Sequence, residues 1–200
     1  MDLKEWVLNI MEQLGYFGIA LLMFLDNIFP PIPSEIIMPS AGYTASQGQL
    51  QLLGVIIAGS VGSILAAATL YWIGRKIPKS LLFKWIDHYG KYLFIQSKDV
   101  NKALIWFEKY GHRIVFFGRM IPAVRSLISI PAGMSQMPFT KFMLYSTMGT
   151  LIWTSFLACI GYYLGNNPVL MHQVLQNTGL IILVIALAIT AKILYKKFRK

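Results

Sequence analysis

The sequence predicts an all-α integral membrane protein in which two opposed re-entrant, or broken, helical hairpins form an inverted repeat among spanning helices and amphipathic interfacial helices. Three observations carry that prediction. First, 56% of the 200 residues are hydrophobic and 13% charged, with a mean hydropathy of +0.58, which suits a single membrane domain over 1–200 rather than a soluble core. Second, the stretch MFLDNIFPPIPSEIIMPSAG, Met23 to Gly42, sets two carboxylates and four prolines inside apolar sequence. Pro30, Pro31, Pro33 and Pro39 remove backbone donors and disfavour the α conformation of the residue before each, so an arriving helix breaks there. Broken backbone at membrane depth is tolerated only where protein or a water-filled cavity surrounds it. Third, the pattern recurs in FGRMIPAVRSLISIPAG, Phe117 to Gly133. Pro122 and Pro131 keep the spacing of Pro30 and Pro39 at an offset of 92 residues, and Gly133 follows the second proline as Gly42 does in the first copy.

Taken in order, residues 1–14 place Leu3, Trp6, Val7, Ile10 and Leu14 among charges at helical spacing, the pattern of an amphipathic interfacial helix. The basic start and small-residue cleavage site of a signal peptide are missing. The apolar run that follows reaches the prolines after about fifteen residues, short of the ~20 that span a bilayer, so 15–47 is expected to be the first re-entrant hairpin. Residues 50–73 form a full span whose Gly59, Ser63 and Ala67, and Gly62 and Ala66, recur at four-residue spacing and admit a close helix neighbour. Arg75 to Pro78 ends it. Amphipathic helices at the cytoplasmic interface are expected over 80–112, the second re-entrant hairpin over 114–133, and further spans over 139–164 and 179–195. Between 75 and 113 nine Lys or Arg stand against three acids, whereas 165–178 has no Lys or Arg at all. The first segment is therefore assigned to the cytoplasm and the second to the outside, with the first hairpin and the N-terminus opening outward.

The net charge of +10 does not indicate nucleic acid, because the basic residues concentrate between Arg75 and Arg113 and in the tail Lys196 to Lys200, next to membrane rather than over a soluble fold. Membrane lipids are the expected partner. Cys159 excludes an intrachain disulfide. His88, His112 and His172 share no ligand spacing, so neither a metal nor a cofactor is expected. No nucleophile with an adjacent base stands near either break, which argues against an enzyme.

The chemistry lies at the breaks. Asp26 and Glu35 flank the first, each costing roughly 2.5–3.5 kcal/mol at the centre of an inserted helix, and Arg119 and Arg125 flank the second. Opposite charges at paired breaks would neutralise one another across a shared cavity, and paired interrupted segments point to a midplane binding site. A guanidinium offers forked donors that fit phosphate oxygens, so Arg119 and Arg125 are the candidate phosphate ligands. Asp26 and Glu35 are the candidate charge-pairing or proton-coupling acids. Ser34, Ser40, Ser126 and Ser129 are expected to satisfy carbonyls freed by the breaks.

These residues resemble the DedA family of bacterial inner-membrane proteins, also described by the SNARE-associated or VTT domain. The resemblance rests on FLDN at 24–27, FPPIPSE at 29–35, YWIGR at 71–75, GRMIPAVRS at 118–126, PAGMSQM at 131–137 and GYYLG at 161–165, and so covers most of the chain. It implies a multi-pass protein of the bacterial inner membrane that recycles undecaprenyl phosphate, the lipid carrier of cell-envelope synthesis including peptidoglycan, from the outer to the inner leaflet as a flippase. Asp26 and Glu35 then match the family's membrane acids and Arg119 and Arg125 its essential arginines. The family commonly has Glu at position 26 and Gly at position 34. Two alternatives stay open: a transporter or scramblase of phospholipids such as phosphatidylethanolamine, and a proton-coupled exporter of small cations. Monomer and homodimer are likewise both open.

Overall fold

The structure, a computed structural model, describes residues 3–28, 34–78, 97–165 and 167. Within them the chain forms α1 (Leu3–Ile28), α2 (Ser34–Ser46), α3 (Leu52–Lys76), α4 (Ser97–Gly118), α5 (Pro122–Leu127), α6 (Ser129–Met134) and α7 (Phe139–Leu164). Pro30, Pro31 and Pro33, the stretch 80–96 and the expected span 179–195 lie outside the described residues. Three helices are long and apolar enough to cross a membrane: Trp6–Ile28, Leu52–Lys76 and Phe139–Leu164.

Several boundaries differ from those expected. The interfacial helix over 1–14 and the arm starting at 15 are one element, α1, whose backbone leaves helical geometry at Gly15 (φ 54°, ψ −130°) and resumes beyond it. A residue without Cβ takes that left-handed φ at no steric cost, so the chain bends there without ending. Interfacial helix and second hairpin also merge: α4 runs through residue 112 to Gly118, and the break occupies residues 119–121. Pro122 then starts α5 at a position whose N–H would have no intrahelical acceptor. Pro39 does not break the first hairpin but lies inside α2. Pro131 falls in the first turn of α6, where a missing N–H costs nothing.

The helices pack in crossed pairs. α1 lies on α3 and α4 on α7; α2 lies on α7 and α6 on α3; α3 and α7 pack on each other. Backbones meet closely at the exchanged contacts. A Cβ on Gly42 would sit 2.1 Å from the Ala158 carbonyl oxygen and one on Gly161 1.9 Å from that of Pro39. In the other half, a Cβ added to Gly133 or Gly74 would sit 2.0 Å from the Tyr71 carbonyl oxygen or 2.3 Å from that of Ile130. Gly42 and Gly133, expected to mark the breaks, are thus helix-contact residues.

α3 and α7 also correspond residue by residue. Laying Leu52 on Phe139, a shift of 87, places eight of the nine buried residues of α3 on buried residues of α7, among them Val55 on Phe142, Gly62 on Gly149, Ala66 on Trp153 and Gly74 on Gly161. The outward residues Ile57, Val61 and Leu65 fall on the equally exposed Leu144, Met148 and Ile152, an apolar face suited to lipid. One apolar cluster gathers Leu22, Met23, Ile37, Met38 and Leu157, and a second gathers Tyr71, Val115, Ile128 and Phe142. The polar site joins the two halves.

Candidate functional site

Asp26 and Asn27 lie in the last turn of α1, which ends at Ile28, and both are buried. Arg119 follows Gly118 at the end of α4, and Arg125 sits on the short α5. The break between them turns the chain so that both guanidiniums point back into the protein, leaving Arg119 2% and Arg125 6% exposed.

The two arginines are held differently. Arg125 forms an ion pair with Asp26 through one guanidinium nitrogen and a carboxylate oxygen. This joins the first break to the second, as the opposite charges of the two stretches suggest. Arg119 has neutral company: its Nε donates to Ser146 Oγ at 3.3 Å, one terminal nitrogen to Asn27 Oδ1 at 3.4 Å and the other to Ser129 Oγ at 2.8 Å. Its guanidinium carbon lies 5.9 Å from the centre of the Phe142 ring. Among the described residues no carboxylate lies within ion-pair distance of it. Asn27 is itself fixed, its Nδ2 donating to the Met23 carbonyl at 3.0 Å and to Ser63 Oγ at 3.1 Å. Arg119 is therefore tied to α1, α6 and α7 directly and to α3 through Asn27.

Glu35 stands in the first turn of α2, near enough to Asp26 for the two carboxylates to repel. Its Oε1 is buried and without a hydrogen-bond partner. The four charges are thus not two ion pairs but one pair, one guanidinium on neutral acceptors and one carboxylate oxygen without a donor. Ser34 and Ser129 act as acceptors: Trp153 Nε1 donates to Ser34 Oγ at 3.4 Å, and Arg119 donates to Ser129. Ser60 and Thr154 share a hydrogen bond of 2.8 Å where α3 meets α7.

Sequence reasoning passed over Asn27 and Ser146. Asn27 had a signal, an amide beside Asp26 in an otherwise apolar run; Ser146, inside LYST on a spanning helix, had none. Among the described residues no group of three His, Cys, Asp or Glu could hold a metal ion.

Comparison with known proteins gives a consistent neighbourhood. The VTT domain matches residues 32–163. An "alkaline phosphatase-like protein" of Lactococcus lactis subsp. lactis (strain IL1403) is 41% identical over 184 residues, covering 92% of this chain and 86% of the relative. "Undecaprenyl phosphate transporter A" of Bacillus subtilis (strain 168) is 38% identical over 83% of this chain and 78% of its own, and the protein of the same name from Staphylococcus aureus (strain NCTC 8325 / PS 47) is 36% identical over 82% and 81%. No solved structure matches.

Proposed function

This chain belongs to the VTT-domain, or DedA, family of multi-pass bacterial membrane proteins, and on that premise we propose that it transports undecaprenyl phosphate from the outer to the inner leaflet, with Arg119 and Arg125 as phosphate ligands. The observation that carries this reading is the setting of Arg119: a buried, permanently charged guanidinium on three neutral acceptors. A buried charge without a counterion is costly unless something supplies one, and a lipid phosphate does so with oxygens that match the forked donors.

The charge balance supports an exchange of partners during transport. Asp26, Glu35, Arg119 and Arg125 cancel formally, so a phosphate monoester adds about −1.5 to −2 to a neutral site. Relief comes when Asp26 releases Arg125 to the phosphate, or when the carboxylates take up protons. The matched burial of α3 and α7 and the exchanged packing of α2 and α6 support two half-sites related as an inverted repeat, the arrangement in which a central site is opened alternately to either leaflet. The reading is non-enzymatic despite the phosphatase-like name of one relative, since Ser129 and Ser146 accept from Arg119 and among the described residues neither hydrogen-bonds to a base.

The test is leaflet-resolved accessibility of labelled undecaprenyl phosphate in proteoliposomes, with and without an imposed pH gradient. The protein should raise the rate of sidedness change. Unchanged sidedness in the presence of folded protein, with movement of another phospholipid instead, would overturn the substrate assignment.

A further inference from the structure

We propose that the chain holds a second anion site, for a phosphate monoester, in a cavity of about 200 Å³ between α4 and the start of α7, with His112 and Lys141 as its ligands. The identity of the lipid arm of this proposal rests on the transport reading above; the site itself rests on geometry that differs between the two halves.

Gly62 on α3 faces the Ala20 carbonyl of α1, and Gly149 on α7 faces the Phe116 carbonyl of α4. With α3 laid on α7, this aligns α1 with α4 at a shift of 96, Ala20 onto Phe116. Tyr16 then corresponds to His112, Gly54 to Lys141 and the N-cap residue Gln51 to Pro138. In the first half the space is filled. The Tyr16 ring lies over Gly54, where an added Cβ would come within 2.5 Å of it, and the Tyr16 hydroxyl accepts from the Gln51 N–H at 2.8 Å. In the second half the smaller imidazole replaces the phenol, a lysine replaces the glycine, and Pro138 offers no N–H to bind. The result is a cavity lined by His112, Lys141, Ser135 and Gln136, with Phe107 and Met137 as apolar wall. Among the described residues its lining includes no Asp or Glu.

Its position and chemistry specify the ligand. The carbonyl of Met137, a lining residue, accepts from the Tyr71 hydroxyl, which in turn accepts from Arg75 at 3.0 Å, so the cavity lies toward the basic end of α3, where Arg75 stands. Lys141, His112 and Gln136 all line the cavity, and an ammonium, an imidazole and a side-chain amide together form a donor set for a compact, multiply charged oxyanion. An extended apolar molecule has no such need, and a cation is repelled. The apolar wall of Phe107 and Met137 accommodates the first carbons of an ester-linked chain. Such a site would receive the headgroup once it leaves the central arginines toward the basic face.

The experiment uses the full chain in phosphatidylcholine nanodiscs with ¹⁵N-labelled histidine, the His112 resonance being identified by its loss in His112→Gln. One arm titrates inorganic phosphate and the other geranylgeranyl phosphate. A saturable shift of the His112 ring nitrogens is expected, weakened about tenfold in Lys141→Gln by loss of one charge-assisted contact. A second variant keeps the fold by copying the filled half: His112→Tyr with Lys141→Gly should remove one equivalent of bound ³²P-phosphate while its melting temperature stays near that of the wild type. A response in the lipid arm alone assigns the site to the lipid headgroup, and a response to inorganic phosphate alone assigns it to free phosphate; both support the site. No shift in either arm, or binding equal in the wild type and both variants, overturns it. Neither readout involves movement between leaflets, so the outcome is separate from that of the transport assay.

Discussion

Asn27→Asp tests the neutral setting of Arg119 with almost no change in shape. Asn27 Oδ1 accepts from the Arg119 guanidinium at 3.4 Å, and an aspartate places a full negative charge at the same point. At that separation and an effective dielectric of about 20, the attraction is ~5 kcal/mol before desolvation is counted. A phosphate would then have to displace a resident carboxylate, as it must already do at Arg125. If roughly 3–4 kcal/mol of the attraction survives, phosphate binding falls by about 10² to 10³-fold. The fold should not suffer equally. The new ion pair offsets the loss of the Nδ2 donations to the Met23 carbonyl and Ser63 Oγ, each worth about 1 kcal/mol. Asn27→Ala removes the acceptor without adding charge and should weaken binding far less. The assays are equilibrium binding of geranylgeranyl phosphate in nanodiscs and thermal unfolding of the same samples. If folded Asn27→Asp protein binds as tightly as the wild type, the neutral cradle is not what keeps Arg119 available.

Three further outcomes follow from the same contacts. Asp26→Asn leaves a buried guanidinium unpaired and should cost about 3–5 kcal/mol, whereas Asp26→Leu with Arg125→Met should recover most of that stability and none of the transport; thermal unfolding and the leaflet assay check the two halves, and transport by the double variant would contradict the assignment of the pair. Gly161→Ala drives a methyl to 1.9 Å from the Pro39 carbonyl oxygen, so α2 must move off α7, and unfolding should show a loss of about 1–3 kcal/mol or more. Single cysteines at Lys98 and Asn167 in a Cys159→Ser background should react with an impermeant reagent from opposite sides of the membrane; reaction from one side for both would invert the assigned topology.

Much of the fold class was legible because it rests on local chemistry. Apolar length marked residues 50–73 and 139–164 as spans, which the helices Leu52–Lys76 and Phe139–Leu164 match closely, and the acids of one proline-rich stretch pointed to the arginines of the other, which the Asp26–Arg125 pair realises. Which arginine takes which acid was not legible. That depends on how far α1 slides along α3 and α4 along α7, a register set by close contacts such as Gly62 on the Ala20 carbonyl and Gly149 on that of Phe116. The prolines misled for a related reason. Pro39 and Pro131 have the same sequence spacing from their partners, yet a proline ends a helix only relative to where that helix begins. With α2 starting at Ser34, Pro39 is interior and its carbonyl is packed against Gly161; with α6 starting at Ser129, Pro131 lies in the first turn. Ser146 was invisible because a hydroxyl on a spanning helix reads as filler until a guanidinium from another helix is found against it.

Glu35 gives the sharpest view of what the acids do, because its situation differs from that of Asp26. Asp26 holds Arg125, so removing its charge harms the folded state and confounds any kinetic effect. The buried Oε1 of Glu35 has no hydrogen-bond partner, and among the described residues Glu35 forms no ion pair, so Glu35→Gln breaks none there and removes the repulsion with Asp26. The melting temperature of Glu35→Gln should therefore equal or exceed that of the wild type. A buried acceptor without a donor is retained at a cost, typically ~1–3 kcal/mol, and here a donor lies across the site whenever phosphate draws Arg125 away from Asp26 or releases it again. In that scheme Glu35 is the carboxylate that receives the guanidinium as the phosphate departs. Its amide has no charge with which to compete, so release should slow while binding is kept. The expected signature is unchanged or tighter equilibrium binding of geranylgeranyl phosphate together with a lower maximal rate of undecaprenyl phosphate movement. Weakened binding at an unchanged maximal rate would instead make Glu35 part of the docking geometry, and a lowered melting temperature would show that its charge supports the fold.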